Sequence, residues 1–95
     1  MRTFFVFLPE KHNHAVAAAE LEHTLKLMLD RRKVTHTSQD FWDDDAGYAK
    51  YGVRLDITAL LDDEVFQRLL GGIVYVTSLL YGSIEIQLDR NCITT

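Results

Sequence analysis

The stretch Arg2 to Leu8, RTFFVFL, is apolar on both faces of a strand. Side chains alternate along a strand, so Phe4, Val6 and Leu8 point one way and Phe5 and Phe7 the other. Aromatic and β-branched residues favour this conformation, and Pro9 ends it. A strand with apolar side chains on both faces is stable only where both are covered, which predicts a central place in a sheet. The rest of the chain has to supply the cover and the neighbouring strands.

Residues 13–32 supply the first layer. Ala17, Ala18, Leu21, Leu25, Met28 and Leu29 recur at helical spacing, with Glu22, Lys26 and Asp30 on the opposite side. Asn13 is the expected cap, and Arg31, Arg32 and Lys33 suit the carbonyl end of the dipole. A thinner stripe of Val16, Glu20, His23 and Leu27 lies beside the main one. Val34 to Trp42 carries no helical period and reads as extended. Tyr48 to Ile57 returns as a strand, with Val53, Leu55 and Ile57 inward and Arg54 and Asp56 outward; Gly52 suggests a bulge.

Thr58 to Leu70 is the second helix, with Leu61, Val65, Phe66, Leu69 and Leu70 on its buried side. Asp62, Asp63 and Glu64 sit in its first turns, where negative charge meets free N–H groups. Gly71-Gly72 followed by IVYVT predicts a stop and then a strand over 73–79. A continuous helix would carry two interior glycines at about 1 kcal/mol each, plus a β-branched run. Ser83 to Asp89 alternates as a last strand. The expected fold is α+β, a ferredoxin-like βαββαβ sandwich with an antiparallel sheet and two helices on one face, with an extra C-terminal strand if the glycines end the helix. At 95 residues it reads as one α+β domain spanning 1–95.

Between the two βα halves lies DFWDDDAGYAKY, residues 40–51. It concentrates four aspartates and four aromatics in twelve residues, including the only Trp. It is expected to be the tip of a long hairpin. Asp43-x-Asp45-x-Gly47 has the opening spacing of a calcium loop, but Arg54 stands where the bidentate glutamate is needed. The four histidines lack zinc spacing. No metal and no cofactor is therefore expected. Ser38, Ser78, Ser83 and Cys92 have no nucleophile context, and no phosphate-binding glycine loop occurs, so the chain is expected not to be an enzyme.

What remains is contact. Asp40, Phe41, Trp42, Asp43, Asp44, Asp45, Tyr48 and Tyr51 combine aromatic anchors with steering charge. They predict a small regulatory or inhibitory protein that binds a protein partner with a basic surface, such as the basic groove of a nucleic-acid-handling enzyme. Whether Trp42 is an anchor or a clamp on its own core turns on its exposure. The alternative is nucleotide or single-stranded RNA binding on the open sheet face through Phe5, Phe7 and Tyr51, with Arg54 beside them. Lys50-Tyr51-Gly52-Val53 lacks the glycine after the lysine that an RNA-recognition motif needs. A net charge of −4 and a pI near 5.4 also argue against nucleic acid. A homodimer is expected, through Phe5 and Phe7 or through the Val16–Leu27 stripe. The apolar runs are too short for a membrane span. The lone Cys92 suits a reducing, cytoplasmic setting.

Overall fold

The computed structural model describes residues 1–44 and 49–88. Its elements are β1 (Arg2–Phe7), α1 (Ala15–Arg31), β2 (His36–Asp43), β3 (Lys50–Ile57), α2 (Asp63–Tyr81) and β4 (Glu85–Leu88), with a 3₁₀ turn at Glu10–His12. The strands form one antiparallel sheet in the order β2-β3-β1-β4. The doubly apolar strand is therefore interior, as its composition requires. This α+β arrangement, four antiparallel strands and two helices, is compatible with a ferredoxin-like fold.

The core lies between the sheet and the helices. Phe4, Val6, Val53, Leu55 and Ile57 meet Leu21, Leu25 and Leu29 of α1 and Phe66, Leu69 and Ile73 of α2. Phe4 and Phe66 contact edge to face at 5.8 Å, and the Arg2 guanidinium covers the Phe66 ring at 4.5 Å.

α2 corrects the reading of residues 73–79 as a strand. The helix runs through Gly71-Gly72 to Tyr81, so there is no extra strand within 73–79. Local preference loses because Phe66, Leu69, Ile73 and Thr77 continue one stripe at helical spacing, all almost fully buried. Burying each large apolar side chain contributes roughly 1.5–3 kcal/mol, more than each glycine costs. Thr77 gives its hydroxyl to the Ile73 carbonyl at 2.6 Å, so the one polar member of the stripe is satisfied. The helix starts five residues later than expected: Asp62 is its cap, accepting from the Val65 N–H at 2.8 Å. It ends at Gly82, whose φ of 83° a side chain would oppose.

Two smaller expectations also change. The cap of α1 is His14, whose Nδ1 accepts from the Ala17 N–H at 3.1 Å. Asn13 instead ties the start of the helix to the sheet. Its Nδ2 donates to the Ala49 carbonyl at 2.6 Å, and its Oδ1 accepts from the Tyr51 N–H at 2.7 Å. Gly52 marks no bulge, because the register passes through it without insertion on both sides, opposite Phe7 and Phe41. It is glycine because a Cβ there would lie against the Val6 carbonyl oxygen and 2.9 Å from Phe7 Cα.

Candidate functional site

Strand alternation divides the acidic-aromatic hairpin between two faces. Phe41 falls on the face away from the helices, opposite Gly52. Its ring packs against Phe5 at 4.9 Å and Phe7 at 5.9 Å, so three aromatics cover the bare glycine. Asp43 stands on that face too, opposite Lys50 in the register. Asp40 and Trp42 fall on the helix side, with Trp42 paired to Tyr51.

There the two members of the Trp42–Tyr51 pair part company. Tyr51 is half-buried against the core. Trp42 stands on the edge strand and keeps 58 % of its surface exposed. Asp40 and Asp44 beside it in the chain are exposed as well. An exposed indole flanked by carboxylates can take an apolar or cationic side chain on its ring while the acids meet further positive charge. Asp45 and Tyr48, together with Asp89 and the tail with Cys92, lie outside the described residues.

The open sheet face is largely occupied by its own contacts. Phe7 is only 3 % exposed, under Phe5, Phe41 and the Lys50 ammonium, which lies 5.1 Å from its ring centroid and 3.0 Å from Glu85. Phe5 is half-buried. Arg54 pairs with Asp56 at 3.3 Å, and Thr3 donates to the same carboxylate at 2.5 Å. Phe5, Phe7 and Arg54 thus share a face, whereas Tyr51 lies through the sheet on the other side.

A depression of about 520 Å³ beside the turn end of the hairpin is lined by Leu8, Glu10, Asn13 and Lys50. Asn13 there is engaged at both ends of its amide, and Lys50 bonds Glu85. The histidines stay apart: His12 packs edge-on to Tyr81 at 5.6 Å, His14 caps α1, and His36 Nδ1 lies 2.8 Å from the Val34 carbonyl. Among the described residues no three His, Cys, Asp or Glu side chains converge on a metal position, and no helix is long and apolar enough to cross a membrane.

One surface escaped the sequence reading. From Leu69 to Ile84 the chain carries no charged side chain, and in α2 this run exposes Tyr75 (67 %) and Leu79 (71 %). The signal was the absence of charge at helical spacing, hidden while 73–79 counted as a strand. Near the lower end of α2, Tyr81 is half-buried; burial raises its phenol above the ordinary value, and the Glu20 carboxylate raises it further. Comparison of the chain with protein-family models, curated proteins and solved structures finds no match.

Proposed function

We propose that this chain is a non-catalytic regulatory or inhibitory protein that docks the β2 arm of its hairpin on a basic surface of a protein partner. The observation that carries this reading is Trp42: 58 % exposed, on an edge strand, with Asp40 and Asp44 exposed beside it. A large aromatic left in water is costly to the free protein and typical of an interface anchor. The carboxylates add steering and select for positive charge. A basic nucleic-acid groove of an enzyme is one surface with that chemistry. The element order and strand neighbours support a ferredoxin-like topology, with β2 of the hairpin as an edge strand. The lone cysteine supports work in a reducing compartment such as the cytoplasm.

The test is co-purification from native cells with the wild type, Trp42→Ala and the double variant Asp40→Ser/Asp44→Ser. The expected result is one partner retained by the wild type and lost from both variants, whose far-UV circular dichroism is unchanged. Equal retention by all three would remove the hairpin as the site. Titration with nucleotides and mixed oligonucleotides at low salt tests the open face: binding abolished by Phe5→Ala would favour nucleic acid instead.

A further inference from the structure

The seam between the two helices is a second surface, separate from the hairpin. α1 and α2 leave an apolar groove of about 380 Å³ between them, lined by Thr24, Leu27, Met28, Arg31, Arg32 and Val76. Beside it, Leu27, Tyr75 and Leu79 are each at least half exposed. Its lining is mostly apolar, and the adjoining half of α2 is uncharged.

The charge is at the two ends. Glu20, Thr24, Leu27 and Arg31 follow one another along a single flank of α1 at helical spacing. Glu20 stands at the end of the seam near Tyr81, whose phenol it influences. Arg31 and Arg32 stand at the other end, where the Arg32 guanidinium approaches Gly72. The seam is therefore acidic at one end and basic at the other, with Leu27, Val76 and Leu79 between them and His23 and Thr24 as the polar groups of its middle. Gly72 faces Met28 and Arg32, and Val76 shares the groove with Thr24, Leu27 and Met28, so Leu79, about two turns on from Gly72, falls near Thr24, close to the midpoint between Glu20 and Arg31.

A surface polarised in this way is complementary to itself when reversed. We infer that the α1–α2 seam is the two-fold interface of a homodimer, with the axis crossing the helices near Leu79. That axis sets Leu79 against its own copy, closes groove on groove, and brings the Glu20 end of each protomer to the Arg31 and Arg32 end of the other. The contact is isologous and closes on itself, so it gives a dimer and no filament. A neutral middle selects against a highly charged partner, and the opposed ends select the antiparallel register. Helices of 17 and 19 residues are about 25 and 28 Å long, so the paired seams can meet over most of the length of both helices.

The experiment is sedimentation equilibrium over a wide concentration range on the wild type and four variants: Leu79→Lys, Glu20→Arg, Arg31→Glu and the double exchange Glu20→Arg/Arg31→Glu. These side chains are exposed in the protomer, so each variant keeps its fold, checked by circular dichroism. The wild type is expected to approach twice the 10.9 kDa chain mass. Leu79→Lys should weaken the dimer at least about 30-fold, as for a central anchor. Each single charge reversal should weaken it, and the double exchange should recover much of the loss. A wild type that stays monomeric, a dimer indifferent to Leu79→Lys, or a double exchange no better than the singles would each overturn the inference. So would a dimer that dissociates only in Phe5→Lys, which would move the interface to the sheet face.

Discussion

Replacing Gly71 by alanine should stabilise this protein, and the sign of the change is decisive. Gly71 lies in the interior of α2 on its solvent side, and a Cβ built there meets nothing within 4 Å. Alanine in an exposed helix interior is favoured over glycine by about 0.8–1 kcal/mol, through the entropy the unfolded chain no longer loses. No packing term offsets the gain. For a domain of this size that corresponds to a rise in Tm of about 4–8 °C. Gly72→Ala should gain less, because its Cβ would sit 3.0 Å from Arg32 Nη2 and 3.1 Å from Met28 Cε, side-chain ends that must give way. Urea melts of the two variants at micromolar concentration measure both values. If the helix ended at these glycines, one of them would occupy the left-handed position after the last turn, and alanine there would cost about 1 kcal/mol or more. A destabilised Gly71→Ala with an unchanged m value would therefore refute the continuous helix.

Four further outcomes follow from contacts described above. Gly52→Ala should destabilise by about 2–3 kcal/mol in the same melts, because β1 and β3 must part to admit the methyl group. Asn13→Ala should lower stability by about 2 kcal/mol, since it strands the Tyr51 N–H and the Ala49 carbonyl; a change below about 0.5 kcal/mol would mean that water replaces the amide. Fluorescence of the sole Trp should be readily quenched by acrylamide in the folded state and protected when the partner binds, whereas shielded emission from the free protein would contradict an exposed Trp42. The raised phenol of Tyr81 keeps its proton in the folded state after the unfolded chain has lost it, so its contribution is whole below pH 10 and falls as pH rises beyond. Thermal melts above pH 10 should accordingly decline less steeply in Tyr81→Phe than in the wild type.

How far the fold could be read from residue order depended on whether local pattern and tertiary packing agreed. In β1 and in the VRLDI half of β3 they agreed, because one period of two sets both the conformation and the buried face. In α1 the stripe of Leu21, Leu25 and Leu29 did the same with a helical period. At residues 71–79 they conflicted: two glycines and a β-branched run favour a break, while Ile73 and Thr77 extend the buried stripe of Phe66 and Leu69 only if the helix continues. The hairpin was legible as a hairpin and as a cluster of side chains. Its partition was less so, since Phe41 and Trp42 are adjacent in sequence yet one closes a cluster and the other enters solvent. The exposure of Trp42 depends on how far α1 reaches over an edge strand, a distance that no local pattern encodes. The seam between the helices was hidden for a related reason, because it exists only once α2 runs its full length beside α1.

The aromatic cover over Gly52 has a consequence for recognition. Phe41 packs on both Phe5 and Phe7 of β1, a strand distant from β2 in sequence, so the backbone that carries its neighbour Trp42 is already fixed before any partner arrives. Ordering a backbone residue on association costs about 1–2 kcal/mol, whereas immobilising one side chain costs about 0.5–1.5 kcal/mol. At Trp42 itself, docking then has side-chain rotamers to settle and not the backbone. Loosening the cluster, for example with Phe5→Ala, should weaken partner binding without touching a contacting residue, chiefly as a greater entropic loss in a calorimetric titration.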